Sequence, residues 1–202
     1  RVVMRTLFRG VVSVVSVSLC TLTLAEPTRL LMQPDVYGDQ VVFRHGGDLW
    51  VASVQGGSAR RLTTSDGVET TPRFSPDGSR IAFTGQYDGN EDVYVVSAAG
   101  GSPARVTYHP QDDILRDWTR DGTRLLFASG RENPPAFVHR LWTIPVDGGM
   151  PEVLPLYSAA DGAYSSDGAR LAFVPTTPAF QPWPGSTSYV GWRHYRGGRA
   201  SR

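Results

Sequence analysis

Pro72-Arg73-Phe74 runs into Ser75-Pro76-Asp77-Gly78 and on into Ser79-Arg80-Ile81-Ala82-Phe83-Thr84, and the reading of this stretch decides the fold. Proline presets φ for a turn and glycine accepts the positive φ at its end, so the chain reverses between two extended segments. Further reversals follow at Tyr87-Asp88-Gly89-Asn90 and at Gly100-Gly101. Asp-Gly and Gly-Gly are strong hairpin signals because tight turns need φ values that other residues resist. In the strand expected from Asp92 to Val96, Val93 and Val95 point one way and Tyr94 and Val96 the other, so both faces are apolar. A sheet apolar on both faces has to be covered on both. Burying a large side chain contributes about 1.5–3 kcal/mol, so a sheet with one face in water forfeits several such contributions. The expected covers are neighbouring sheets of the same design.

The same plan returns on either side of this stretch. The turn glycines Gly38, Gly78, Gly122 and Gly168, and the phenylalanines Phe43, Phe83, Phe127 and Phe173, both step by 40, 44 and 46 residues. The aromatics Trp50, Tyr94 and Trp142, the second turn glycines Gly57, Gly101 and Gly149, and the closing residues Leu62, Val106 and Leu154 all step by 44 and 48. A repeat of this length built from strands predicts an all-β array of four-stranded antiparallel blades, a β-propeller. The expected units are 34–66, with a short leading strand, then 67–111, 112–157 and 158–202, the last losing the pattern after Val174. Closed propellers use roughly four to eight blades, so three to four blades predict an incomplete ring. Pro134 and Pro135 mark an insertion that lengthens the third unit, and Pro175 to Pro184 read as a loop crossing between strands.

Ahead of the repeat, Arg5 and Arg9 precede an apolar run from Val11 to Leu24 that ends in Thr23-Leu24-Ala25 before Glu26-Pro27. This charged, apolar, small-residue order predicts a signal peptide at 1–25, cleaved after Ala25, then a linker at 26–33 and a periplasmic or secreted mature chain. The run is shorter and richer in Ser and Thr than a bilayer-spanning segment of about 20 apolar residues, so no stable membrane span is expected after cleavage. Cleavage discards Cys20, the single cysteine. The 202 residues carry 20 Lys and Arg against 19 Asp and Glu, a formal charge of +1. Near-neutrality argues against nucleic acid as a partner, since that binding relies on a cationic field.

The residues that carry the repeat resemble TolB-like and tricorn-type propellers: Phe-Ser-Pro-Asp-Gly at 74–78, Asp-Leu-Trp-Val at 48–51, Asp-Val-Tyr-Val at 92–95, and Ala-Arg-Arg-Leu-Thr at 59–63 after a Gly-Gly pair. More specifically, Trp192-Arg193-His194-Tyr195-Arg196-Gly197-Gly198 is similar to a Trp-Lys-Arg-Tyr-Arg-Gly-Gly segment in the first propeller of tricorn-like serine peptidases, and Val41-Val42-Phe43 with Asp48-Leu49-Trp50-Val51 resembles that propeller's first blade. The resemblance implies a six-bladed, non-catalytic propeller acting as a port for peptides or as a protein-contact surface, with catalysis and any oligomerisation belonging to the full-length parent. The alternatives are a TolB-type periplasmic protein-binding propeller and a propeller appended to another hydrolase. An in-frame continuation in the DNA beyond codon 202 discriminates the three.

No position is expected to be catalytic. The nearest approach to a Gly-x-Ser-x-Gly nucleophile elbow, Gly100-Gly101-Ser102-Pro103-Ala104, lacks the last glycine and reads as a hairpin turn. His45, His109, His139 and His194 lack metal-ligand spacing and read as solvent-facing loop residues. Asp88, Asn90 and Asp92 alternate like the opening of a calcium loop, but Val93 stands where glycine is needed and Ala99 where glutamate is, so they read as a polar hairpin tip. No cofactor or metal is expected. The candidate peptide-contact residues are Trp192, Arg193, His194, Tyr195 and Arg196, because arginine offers a bidentate fork to a carboxylate and aromatics offer flat apolar area. A blade strand with inward aromatics and snorkelling arginines is the competing reading of that segment.

Overall fold

The computed structural model describes residues 31–132 and 139–175. The expected signal segment, the Pro134-Pro135 insertion and the Trp192–Arg196 candidates lie outside the described residues.

Among the described residues, three four-stranded sheets and one hairpin follow one another along the chain. The first sheet holds β1 (Met32–Tyr37), β2 (Gln40–His45), β3 (Asp48–Ser53) and β4 (Arg60–Arg61); the second holds β5 (Val68–Phe74), β6 (Arg80–Gln86), β7 (Asp92–Ser97) and β8 (Ala104–Arg105). The third holds β9 (Asp113–Trp118), β10 (Arg124–Ser129), β11 (Arg140–Pro145) and β12 (Glu152–Val153), and the hairpin is β13 (Asp161–Tyr164) with β14 (Leu171–Val174). Every strand pair is antiparallel and joins consecutive strands. The leading strand of the first unit is not short, as the sequence suggested: β1 spans 6 residues, as many as β2 and β3, and begins within the stretch read as a linker.

The turns are built as the residue types dictate. Gly78 sits at φ 71, and in front of it the Ser75 hydroxyl donates to Asp77 Oδ1 at 2.5 Å and accepts from Arg80 N at 3.0 Å. Thr119 with Asp121 and Ser165 with Asp167 repeat this arrangement at the next two turns. Bonds from Ser75 and Ser79 hold the Asp77 carboxyl down to about 2.

Sheets stack face to face as the two-sided apolar pattern requires. Val93 and Val95 pack with Leu115, Leu125, Phe127 and Trp142 of the third sheet, whereas Tyr94 and Val96 pack with Val42, Leu49 and Val51 of the first. The hairpin β13–β14 covers Leu126, Ala128 and Leu141 in the same way, with Tyr164, Leu171 and Phe173 packed against them. Three of the repeat phenylalanines face their repeat aromatic across a strand pair, Phe43 opposite Trp50, Phe83 opposite Tyr94 and Phe127 opposite Trp142, whereas Phe173 stands opposite Gly162. Backbone bonds stitch successive sheets at one end, with Glu69 N donating to Gly47 O at 2.8 Å, Asp113 N to Glu91 O at 2.8 Å and Ala159 N to His139 O at 2.9 Å. Contacts between sheets concentrate on the leading strands, β1 with β5, β5 with β9 and β9 with β13, which places these four innermost around one axis. The sheets do not close into a ring among the described residues.

Candidate functional site

Each of the first three innermost strands carries a β-bulge opposite the repeat phenylalanine. The register slips between Met32 and Asp35 in β1, between Thr70 and Arg73 in β5, and, on β9, across Arg116 between Leu115 and Asp117. A bulge bends a strand and re-aims the side chains that follow it. The residues that follow are Asp35, Arg73 and Asp117, and all three line one cavity of about 320 Å³. That cavity is lined by all four innermost strands, with Tyr37, Trp118 and Tyr164 among its aromatic walls. β13 has no slip, and Ala163 takes the corresponding place beside Tyr164.

The rim charges are held in fixed positions. Asp35 Oδ2 accepts from Phe74 N of the next sheet at 2.7 Å, and Asp117 Oδ2 accepts from Tyr164 N of the next at 2.8 Å. Between them, Arg73 donates Nε to Arg116 O at 3.3 Å and Nη1 to Pro72 O at 3.1 Å, while its own carbonyl accepts from Trp118 Nε1 at 3.0 Å. Burial pushes the Asp117 carboxyl above its ordinary value, opposed by the two backbone N–H bonds it accepts and by the Arg73 charge. Arg116, on the bulge itself, is half-buried with its guanidinium 3.6 Å from Asp161, and burial lowers its pKa.

The opposite end of the sheets is also polar, and most of its charges are paired, although Gln111 Oε1 and Asp113 Oδ1 are buried there without a hydrogen-bond partner among the described residues. Arg105 reaches Asp92 at 2.6 Å and Asp88 at 2.8 Å, so a guanidinium sits among the carboxylates that sequence spacing had compared with a calcium loop. Asp92 is 1% exposed and therefore interior, not part of a hairpin tip. Asn90 Nδ2 donates to Asp92 Oδ2 and to His109 O. Gly100 and Gly101 form the β7–β8 turn, at φ 105 and 126, with Gly100 N bonded to Ser97 O at 2.9 Å. The histidines correct the sequence reading: His45 lies on β2, and His45, His109 and His139 are all half-buried. They are not brought together. His45 meets the Trp50 ring edge-on, His109 Nδ1 accepts from Gln111 N, and burial with the Arg116 charge lowers the pKa of His139.

Sequence reasoning did not single out Asp35, Arg73 or Asp117. The available signal was their common place one residue before Val36, Phe74 and Trp118, which appears only once the strands are aligned through their pairing partners Val41, Ile81 and Leu125.

Residues 28–202 match the family described as the tricorn protease N-terminal beta propeller domain. The chain belongs to that tricorn propeller family. Among curated relatives, tricorn protease homolog 1 of Streptomyces coelicolor is 30% identical over 171 residues, covering 84% of this chain and 15% of that protein. Among solved structures, the crystal structure of the tricorn protease superposes with a TM-score of 0.60 at 26% identity, covering 67% of this chain and 14% of that one. A TolB structure from Agrobacterium tumefaciens superposes with a TM-score of 0.64 at 21% identity, over 72% of this chain and 54% of that one, a likeness of fold. The tricorn-propeller chain thus spans a small part of the tricorn relatives it matches. Its sheet order and stacking are those of a propeller, and its rim cavity lies where successive blades converge.

Proposed function

We propose that this chain is a non-catalytic part of an exported, tricorn-like serine peptidase, and that its propeller admits peptides to the enzyme or contacts protein partners. The observation that carries the reading is the polar cavity lined by all four innermost strands, which gives the blades a common opening with a charged rim. Such an opening acts by shape and charge: it passes an extended chain and excludes a folded one. Membership of the tricorn propeller family supports a peptidase as the parent.

The test uses the whole tricorn-like protein of which this chain is proposed to be a part. Ala163 is exposed and stands at the register position that Asp35, Arg73 and Asp117 take in the other blades, next to the lining residue Tyr164, so Ala163→Trp adds bulk at that edge of the opening while leaving the three charged side chains in place. Hydrolysis of long peptides is expected to fall severalfold in kcat/KM while a short chromogenic substrate is cleaved as before. Equal rates on both substrates would overturn the admission role. Export is tested separately by N-terminal sequencing of the mature protein, which is expected to begin at Glu26.

A further inference from the structure

Resting on that reading, we propose that the rim is a binding site for short peptides with both ends free, the α-carboxylate seated on Arg73 and the ammonium on Asp35.

Around the opening the three re-aimed residues alternate: Asp35 from the first sheet, Arg73 from the second, Asp117 from the third. Opposite charges lining one cavity often pair, yet among the described residues Arg73 forms no ion pair with either acid. Instead each group is tied to backbone. Phe74 N anchors Asp35, Trp118 N and Tyr164 N anchor Asp117, and the Arg116 and Pro72 carbonyls fix two nitrogens of Arg73. Its Nη2 group keeps its donors free of any described partner, as Asp35 Oδ1 keeps its lone pairs. Charges fixed in advance and left unneutralised lose little freedom when a ligand arrives.

The backbone that carries these charges is also strained. Gln33 and Thr71 adopt φ 51 and 50, the left-handed region that side chains avoid, and each directly precedes a proline, Pro34 and Pro72. The two are coupled, since Thr71 N donates to Gln33 Oε1 at 3.1 Å. A β-branched residue in that region is an outlier, and such strain gathers at binding and catalytic sites, where the surroundings enforce it. Here it lies in the two bulges that aim Asp35 and Arg73 at the opening.

The ligand class follows from the alternation. A lone anion on Arg73 meets carboxylates on both sides, although Arg120 of the β9–β10 turn adds a second cation to the lining, and a lone cation on Asp35 meets the Arg73 guanidinium. A molecule carrying both charges satisfies both groups at once, with a charge-assisted bond at each end. The cavity, about 320 Å³, suits a peptide of a few residues, and Tyr37, Trp118 and Tyr164 offer flat apolar area to its side chains.

Calorimetric titration of the full-length protein with alanyl-alanine, its N-acetylated form and its C-terminal amide tests the assignment. In the unsubstituted protein each end-block is expected to weaken binding by about tenfold. In Arg73→Gln the amide and the free dipeptide should bind alike, and in Asp35→Asn the acetylated and free forms should bind alike. Arg73→Lys, which keeps the charge, should keep much of the discrimination at the carboxyl end and guards against a folding defect in the glutamine variant. Absence of saturable dipeptide binding, or end-block penalties unchanged in both variants, overturns the proposal. Persistence of the end-group discrimination when Ala163→Trp leaves long-peptide hydrolysis untouched would preserve this site while discarding admission.

Discussion

Glu69 shows how far a single residue reaches between blades. It is fully buried on β5, yet its carboxylate accepts from Leu49 N and the Thr63 hydroxyl of the first sheet, and from Tyr87 Oη of its own at 2.6 Å. Burial pushes its pKa above the ordinary 4.5, with Asp48 adding to the rise and the three bonds opposing it. A carboxyl raised in the folded state contributes stability that is present below its unfolded pKa and lost as pH rises through the folded value. Glu69→Gln should therefore remove one pH-dependent component. Urea midpoints of the full-length protein, measured from about pH 4 to 8, should fall with rising pH more steeply for the parent than for the variant. Parallel curves would contradict the burial of this acid. Turn residues such as Ser75, Asp77 and Gly78 were legible in sequence because every group they need lies within a few positions. Glu69 was not, since its partners lie 6 to 20 residues away, on β3 and in the segments that follow β4 and β6.

At the scale of strands, two-sided apolar alternation was enough to predict that β7 would be covered on both faces, and the covers are the first and third sheets. The bulges were beyond that reasoning. A bulge is a count of residues relative to a partner strand, and a strand read by itself has no partner to count against. The repeat phenylalanines provide an energetic check on the stacking. Phe127 is fully buried between the second and third sheets, whereas Phe173 on the hairpin is only half-buried. Phe127→Ala should cost about 3–5 kcal/mol, and Phe173→Ala distinctly less. Chemical denaturation of the full-length protein, followed by hydrogen exchange of β10 and β14 amides, compares them. Equal losses would mean that the two positions do not occupy graded depths in one stack.

For the whole molecule the decisive property is that blades stabilise one another. Phe43 is buried at 6% exposure although no described sheet lies on its side of the first sheet, but Leu31 and, on the edge strand β1, Met32 and Val36 are 49%, 53% and 58% exposed. A polypeptide restricted to residues 26–202 should self-associate, because open blade faces and strand edges are templates for contact with other copies. Size-exclusion chromatography with light scattering should find oligomers or aggregates. A monomer with a sharp cooperative melt would show that the blades need no further neighbours. By itself the amino-acid sequence determined the all-β class, the blade repeat and the tricorn kinship, because glycine turns, alternating apolar strands and a fixed period are local or periodic properties of the chain. Tertiary structure alone decided which charges meet at the rim and that His45, His109, His139 and Asp92 are drawn inward. Those outcomes depend on strand register and on the packing of sheets far apart in sequence, which no local spacing encodes.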